Sequence, residues 1–369
     1  MAEHSTLYRK YRPQTFEDVV GQDHVVNALR TAVDQGSVSH SYLFAGPRGT
    51  GKTTVARILA RAVNCTGSGK KKPCLTCDIC TQFQSGISLD LIEIDAASNR
   101  GIDDIRDLRE AVRFHPQSAR KKVYIIDEVH MLTKDAFNAL LKTLEEPPEF
   151  VIFILATTDL EKVPDTIRSR CEEFQFRRIA PAIIQKRLTE IAAAEGANID
   201  KDALRMLALL AEGSERDAES LLGQTLASHA GSMSGEDVAA LFGLPQTSMI
   251  AKLLKTCVRG SLKDALEIVE HATARNIDPQ LITKLLLEDL KYALFLAVDN
   301  GYRAALEAEI SSEHLQFLKQ EGEAAGIEEL RRMLVLLLEA YHSPYTTAIA
   351  ELPLELALVE IHTRRPEKK

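Results

Sequence analysis

The sequence has no run long and apolar enough to cross a bilayer. Its best candidate, residues 281–298, is broken by Lys284, Glu288, Asp289 and Lys291, where a span needs about 20 predominantly apolar residues. Residues 1–13 are polar and basic and carry no apolar h-region of a cleavable signal. Both absences predict a cytoplasmic protein with no membrane partner. An excess of positive charge is also missing. Lys and Arg number 45 against 53 Asp and Glu, a net charge of −8, so the chain as a whole is no general nucleic-acid magnet, although a local basic surface remains compatible. No internal repeat of fixed period occurs, which excludes a solenoid. Cysteine is sparse, at six in 369 residues, and its placement is the first positive signal.

Four of the six cysteines, Cys65, Cys74, Cys77 and Cys80, form a C-x8-C-x2-C-x2-C cluster. In a reducing compartment such clusters bind metal more often than they form disulfides. Four thiolates complete a tetrahedral Zn²⁺ shell and leave no open position, so the site would be structural. A redox pair or a disulfide is the competing reading, but a redox site needs only two cysteines. Residues 67–73 are too rich in Gly and Lys to pack a core, and zinc would supply the order they lack. Cys171 and Cys257 stand alone and read as ordinary residues.

At 45% hydrophobic and 27% charged residues the chain has the composition of a globular protein, and its length suggests two or three domains at about 150 residues each. Its chemical centre is Gly46-Pro47-Arg48-Gly49-Thr50-Gly51-Lys52-Thr53, which fits G-x-x-x-x-G-K-[ST]. An apolar strand precedes it (residues 41–45), and a helical pattern follows from Thr54. Glycines let backbone N–H groups turn inward around phosphate oxygens, and the helix N-terminus adds partial positive charge. Lys52 would neutralise the β- and γ-phosphates, and Thr53 would hold Mg²⁺. The strand 122–128 ends in Asp127 and Glu128. Asp127 can hold Mg²⁺, and Glu128 can take a proton from an attacking water.

The rest of the chain reads in order. Tyr8, Tyr11 and Arg12, followed by Val19 and Val20, form either a tether packed on the first domain or a lid over a nucleotide base. Asp23 is expected to cap a helix through Val33. A second strand is predicted at 89–95 and a helix from Ile102 that carries Arg106, Arg109 and Arg113, a stripe that is either a solvated face or a phosphate contact. A helix at 131–146, a buried strand at 150–156 ending in Thr157 and Thr158, a short helix at 165–168 and a strand at 173–176 complete an alternation that specifies a doubly wound parallel sheet. From residue 181 strand signals vanish. Helices are predicted at 181–194, 200–212, 214–229, 234–242, 279–298 and 327–341, and residues 363–369 read as a disordered tail. Ser214 and Asp217 read as a capping box, which places Arg216 in a first helical turn, where the dipole disfavours a cation. A γ-phosphate would offset that cost; otherwise Arg216 is a solvated side chain.

Together these pieces resemble the AAA+ ATPases and, within them, the clamp loaders. The cysteine module after the P-loop helix, Ile126-Asp127-Glu128-Val129-His130-Met131-Leu132 and Leu141-Lys142-Thr143-Leu144-Glu145-Glu146-Pro147-Pro148 look like the tau/gamma subunit family of bacterial DNA polymerase III. The specific motifs cover residues 7–222. The resemblance implies an α/β P-loop NTPase domain at 1–179 with a zinc-binding insertion at 65–80, a helical lid at 180–242 and an all-helical collar at 243–369. It also implies roles: Thr158 as sensor 1 with Thr157 beside it, Arg170 of Ser169-Arg170-Cys171 as an arginine finger acting on a neighbouring subunit's ATP, and Arg216 as sensor 2. ATP, Mg²⁺ and Zn²⁺ are the implied cofactors. The implied partners are other loader subunits in a hetero-oligomeric spiral, a sliding clamp, and primer-template DNA gripped by backbone contacts, for which Arg100 and Lys142 are candidates. The implied function is an ATPase that loads the clamp onto primed DNA. A helicase loader and a nucleotide-gated scaffold are the alternatives; Glu128 and Arg170 argue against a scaffold, which needs neither. Members of this family often continue past the point where this chain stops, so a shortened form is also expected.

Overall fold

A computed structural model describes residues 6–69, 71–228, 232–342 and 349–363; of the tail expected to be disordered, at 363–369, Thr363 instead ends the helix Leu352–Thr363, and residues 364–369 lie outside the described residues. The chain forms two compact units. One is Met1–Ile184 with Ala211–Leu221, the other Gln185–Leu210 with Leu222–Lys369.

The first unit is built on five parallel strands: β1 (Ser41–Ala45), β2 (Leu91–Asp95), β3 (Lys122–Asp127), β4 (Val151–Thr157) and β5 (Glu172–Gln175), in the order β2-β3-β4-β1-β5. Every residue of β1 and β4 is buried, as parallel strands covered on both faces must be. The two-residue period sorts side chains between the faces. Tyr42, Phe44, Ile125 and Ile154 join Val25, Leu29, Val55 and Leu59 on one side. Leu43, Tyr124, Ile126 and Phe153 join Ile105, Leu108, Phe137 and Leu140 on the other. Pairing of Ala45 with Thr157 and of Asp95 with Asp127 aligns the carboxyl ends of the strands along one edge. That edge is where a doubly wound sheet offers its ligand site.

The second unit is helical throughout its described length apart from an isolated bridge between Ile199 and Met233. Its long helix Pro279–Val298 buries Ile282, Leu286, Leu290 and Ala293 among Leu318, Leu330, Met333, Leu337 and Leu358 of neighbouring helices. Gly322 lets the helix Ser312–Ala325 come close, since a Cβ there would lie 2.7 Å from the Ala293 carbonyl oxygen. Within this core Asp289 is buried against Arg205 (3.0 Å) and His314 (3.1 Å). No described helix is long and apolar enough to cross a membrane.

Three local expectations are corrected. Asp23 is the first residue of the helix Asp23–Gln35, not its cap; Gln22 holds the cap position, and its buried amide instead bonds the Arg177 backbone at 2.7 and 3.1 Å. The helix expected from 131 begins at Lys134, because Thr133 caps it by accepting the Ala136 N–H, and a separate 3-10 turn occupies Val129–Met131. The strand expected from 89 starts at Leu91, leaving Leu89 exposed. The described residues of 67–73 contribute nothing to the apolar clusters, as expected, while the helix Asp78–Ser85 that follows buries Ile79 and Phe83 in the same cluster as Leu59.

Candidate nucleotide site and cysteine cluster

The loop after β1 carries its glycines where only glycine fits. Gly49 has φ +75°, and a Cβ there would lie 1.8 Å from the Ser214 hydroxyl. This close approach brings the start of the helix Glu215–Ser228 against the loop, with the Glu215 N–H donating to the Gly49 carbonyl at 3.1 Å. The helix Lys52–Asn64 then points its first N–H groups at the same space. Lys52 is buried, and its Nζ donates to the carbonyls of Gly46 (2.7 Å) and Pro47 (2.9 Å). Burial pushes its pKa down, while Glu128 and Asp127 oppose the shift. Thr50 braces the loop from within, donating from its hydroxyl to the Pro47 carbonyl at 2.8 Å.

The sheet delivers the acidic partner. The Thr53 hydroxyl donates to Asp127 Oδ2 at 2.6 Å, joining residues 74 apart in sequence. The next residue, Glu128, sits in the left-handed region at φ +49°. For a residue other than glycine this costs on the order of 1 kcal/mol and marks positions held by their surroundings. Glu128 Oε2 accepts the Thr158 N–H at 3.1 Å and the Thr158 hydroxyl at 2.8 Å. Thr157, by contrast, is fully buried and bonds the Asp159 backbone.

A cleft partly open to solvent lies over this edge, at the place where such a sheet offers its ligand site. Of the residues singled out from the sequence, Tyr8, Arg12, Arg48, Gly49, Gly51, Lys52, Thr53, Thr54, Asp127, Glu128 and Arg216 line it. Arg216 lies over the Tyr8 ring, 4.8 Å from its centroid. The Ser214 hydroxyl accepts the Asp217 N–H at 3.2 Å, but the Ser214 N–H turns to Ala211, so only half of the expected capping box forms. Tyr11, Val20, Gly46, Pro47, Thr50 and Thr158 stand outside the lining, as does Arg170, which pairs with Glu145 on the surface. Arg100 and Lys142 are exposed, also outside it. The sequence reading missed Pro13, Glu215 and Glu219. The two glutamates share one face of a helix by their i, i+4 spacing, a pattern that carries no ligand signal on its own. It also missed His130, whose ring reaches Thr157 and Glu128.

The sulfurs of Cys65, Cys74, Cys77 and Cys80 all lie within 4.8 Å of one another, and none is in a disulfide. Sulfurs about 2.3 Å from one tetrahedral zinc stand just under 4 Å apart; Cys74 and Cys80 are 4.0 Å apart. The cluster fits such an ion and no second ligand type is needed.

Three families match successive stretches between residues 21 and 368. The one described as DNA polymerase III, delta subunit, covers residues 21–180; the DNA polymerase III clamp loader subunit, ATPase lid domain, covers 183–231; and DNA polymerase III subunits gamma and tau domain III covers 233–368. The chain is 41% identical to DNA polymerase III subunit tau of Bacillus subtilis over 97% of its own length and 63% of that protein. It is 46% identical to subunit tau of Escherichia coli over 74% of its length and 43% of that protein, so it spans less than two thirds of each of these two relatives. With DNA polymerase III subunit gamma of Buchnera aphidicola (subsp. Schizaphis graminum) it shares 38% identity over 80% of its length and 81% of that protein. The chain therefore belongs to the gamma/tau subunit family of DNA polymerase III.

Proposed function

We propose that the chain is an ATP-hydrolysing subunit of a DNA polymerase III clamp loader, in which ATP binding and hydrolysis drive loading of a sliding clamp onto primed DNA. The carrying observation is the 2.6 Å contact of Thr53 with Asp127, beside buried Lys52 and the carboxylate of Glu128. Thr53 and Asp127 would hold Mg²⁺, which supplies charge neutralisation at the phosphates. Lys52 and the loop N–H groups bind the triphosphate, and Arg216 meets the γ-phosphate once it leaves Tyr8. Glu128 serves as the base for the attacking water. Tyr8 and Arg12 close over the base end of the cleft, with Tyr11 and Val20 behind them.

Arg170 acts on the ATP of a neighbouring subunit, since on its own chain it lies away from the cleft. Zn²⁺ in the cysteine cluster is structural. We divide the chain into a nucleotide-binding segment (1–179), a lid (180–242) and a collar (243–369) that holds the partner subunits, and assign the protein to the cytoplasm. The test is steady-state ATP hydrolysis with sliding clamp, with primed DNA, and with both. Stimulation requiring both is expected; a rate indifferent to either would overturn the reading.

A further inference from the structure

Glu128 is held on one side only. Its Oε2 takes both donors of Thr158, at 3.1 and 2.8 Å, and also faces His130 Nδ1 at 3.4 Å. No described residue donates to Oε1. His130 is itself fixed: its Nδ1 lies 3.0 Å from the Thr157 hydroxyl oxygen. That hydroxyl donates to the Asp159 carbonyl and accepts the Asp159 N–H, both at 3.0 Å. With its own proton committed to a carbonyl, Thr157 can only accept from the ring, so Nδ1 carries hydrogen. The His130 side chain is one-tenth exposed, and Thr157 is fully buried, so neither swings freely.

We propose that His130 is a positioning residue for Glu128: its ring, tied by Nδ1–H to Thr157, stands 3.4 Å from Oε2, backs the carboxylate edge that Thr158 clamps, and leaves Oε1 as the atom that takes the water proton. This rests on Glu128 being the base. In the step so defined, the water oxygen bonds the γ-phosphorus, the bond from that phosphorus to the bridging oxygen breaks to release ADP, and the water proton passes to Oε1. The two adjacent threonines then have separate duties. Thr158 touches the carboxylate directly; Thr157 acts through the imidazole. The contacts on Oε2 fix the plane and direction of the carboxylate, and misplacing a catalytic group by about 1 Å can cost on the order of 10²-fold in rate.

The test uses the full chain, with partner subunits present where hydrolysis needs them, and measures kcat and ATP affinity separately. His130→Ala should lower kcat roughly ten- to a hundredfold, the scale on which misplacement costs rate, with ATP affinity unchanged. His130→Asn, whose side-chain N–H can occupy the Nδ1 position, should recover most of the loss. In a Glu128→Gln background His130→Ala should add little, because the carboxylate it positions is gone. The proposal is overturned if His130→Ala turns over at the parent rate, if a folded His130→Asn recovers nothing, or if His130→Ala slows the Glu128→Gln protein by its full factor. Parental turnover by Glu128→Gln alone would instead overturn the base assignment itself. Thermal melting of each variant separates these outcomes from misfolding.

Discussion

Arg170 and Glu145 form an ion pair with Nη2 and Oε1 2.6 Å apart, and the Arg170 guanidinium also donates to the Thr166 carbonyl at 2.7 Å. Their side chains are 33% and 48% exposed, and an exposed pair of this kind is worth about 0–1 kcal/mol. The contact holds Arg170 in a defined place yet yields at little cost to a better anion.

That arrangement predicts an arginine supplied across an assembly interface. Arg170→Ala should bind ATP normally as an isolated chain and lose turnover in the assembled loader, by on the order of 10³ if it behaves as arginine fingers do elsewhere. Mixing Arg170→Ala with Lys52→Ala should restore part of the activity, because some interfaces then join an intact Lys52 site to an intact Arg170. A mixture as inactive as its components, with co-assembly verified by sedimentation, would show Arg170 working within its own chain.

Glu128→Gln should leave ATP binding intact and lower turnover by about 10²–10⁴, the usual contribution of a general base. Asp127 and Thr53 keep their 2.6 Å contact, so the pair proposed to hold Mg²⁺ is untouched. Lys52→Ala should lose binding itself and also free the Gly46 and Pro47 carbonyls it now ties together. A fluorescent ATP analogue reads the affinity and phosphate release the turnover.

One zinc per chain is expected by metal analysis of protein purified without chelators. Cys77→Ser should lower the metal content and the thermal midpoint, because the insertion depends on the ion for its local fold. ATP affinity should hold within about twofold, a factor worth under ~0.5 kcal/mol. Zinc-free protein with full stability would overturn the assignment.

In the second unit Asp289→Asn should destabilise by about 3–5 kcal/mol, the cost of breaking a buried charge pair from one side. Burial alone would raise the Asp289 pKa, but His314 and Arg205 reverse this and hold it below the ordinary 3.8. A carboxylate with a depressed folded pKa stabilises at pH values above its unfolded pKa, and the contribution is lost as pH falls through the folded value. The parent should therefore lose this stability only below about pH 3.8, and the difference between parent and variant should shrink there. Melting curves across pH measure it.

The nucleotide loop was legible because its chemistry is local: Gly49, Gly51, Lys52 and Thr53 occupy fixed positions along one turn and one helix start. Asp127 and Glu128 were legible from the apolar strand that ends in them. What escaped the sequence depends on the sheet. The contact between His130 and Thr157 needs β3 and β4 side by side, and no spacing along the chain encodes it. Glu215 and Glu219 reach the cleft through the close approach at Gly49, which the sequence records only as one glycine among several. The late start of the helix Lys134–Glu145 shows local competition: the apolar period of 131–146 favours an earlier start, and the Thr133 hydroxyl wins. Ile79 and Phe83 were overlooked as anchors because two apolar residues in an eight-residue helix make a weak periodic signal.

The helix Lys52–Asn64 has the glycine loop proposed to bind phosphate at one end and Cys65 at the other. Its 13 residues make a rod about 20 Å long, with Val55, Ile58, Leu59 and Ala62 clamped in the core between the two ends. Oxidation or chelation at the thiols would therefore fray the far tip while the near tip keeps its grip on the triphosphate. Under redox stress this protein should fail by degrees, first as heat-labile but active molecules and only later as inactive ones. Ageing of a preparation would then be visible in its melting curve well before it is visible in its turnover.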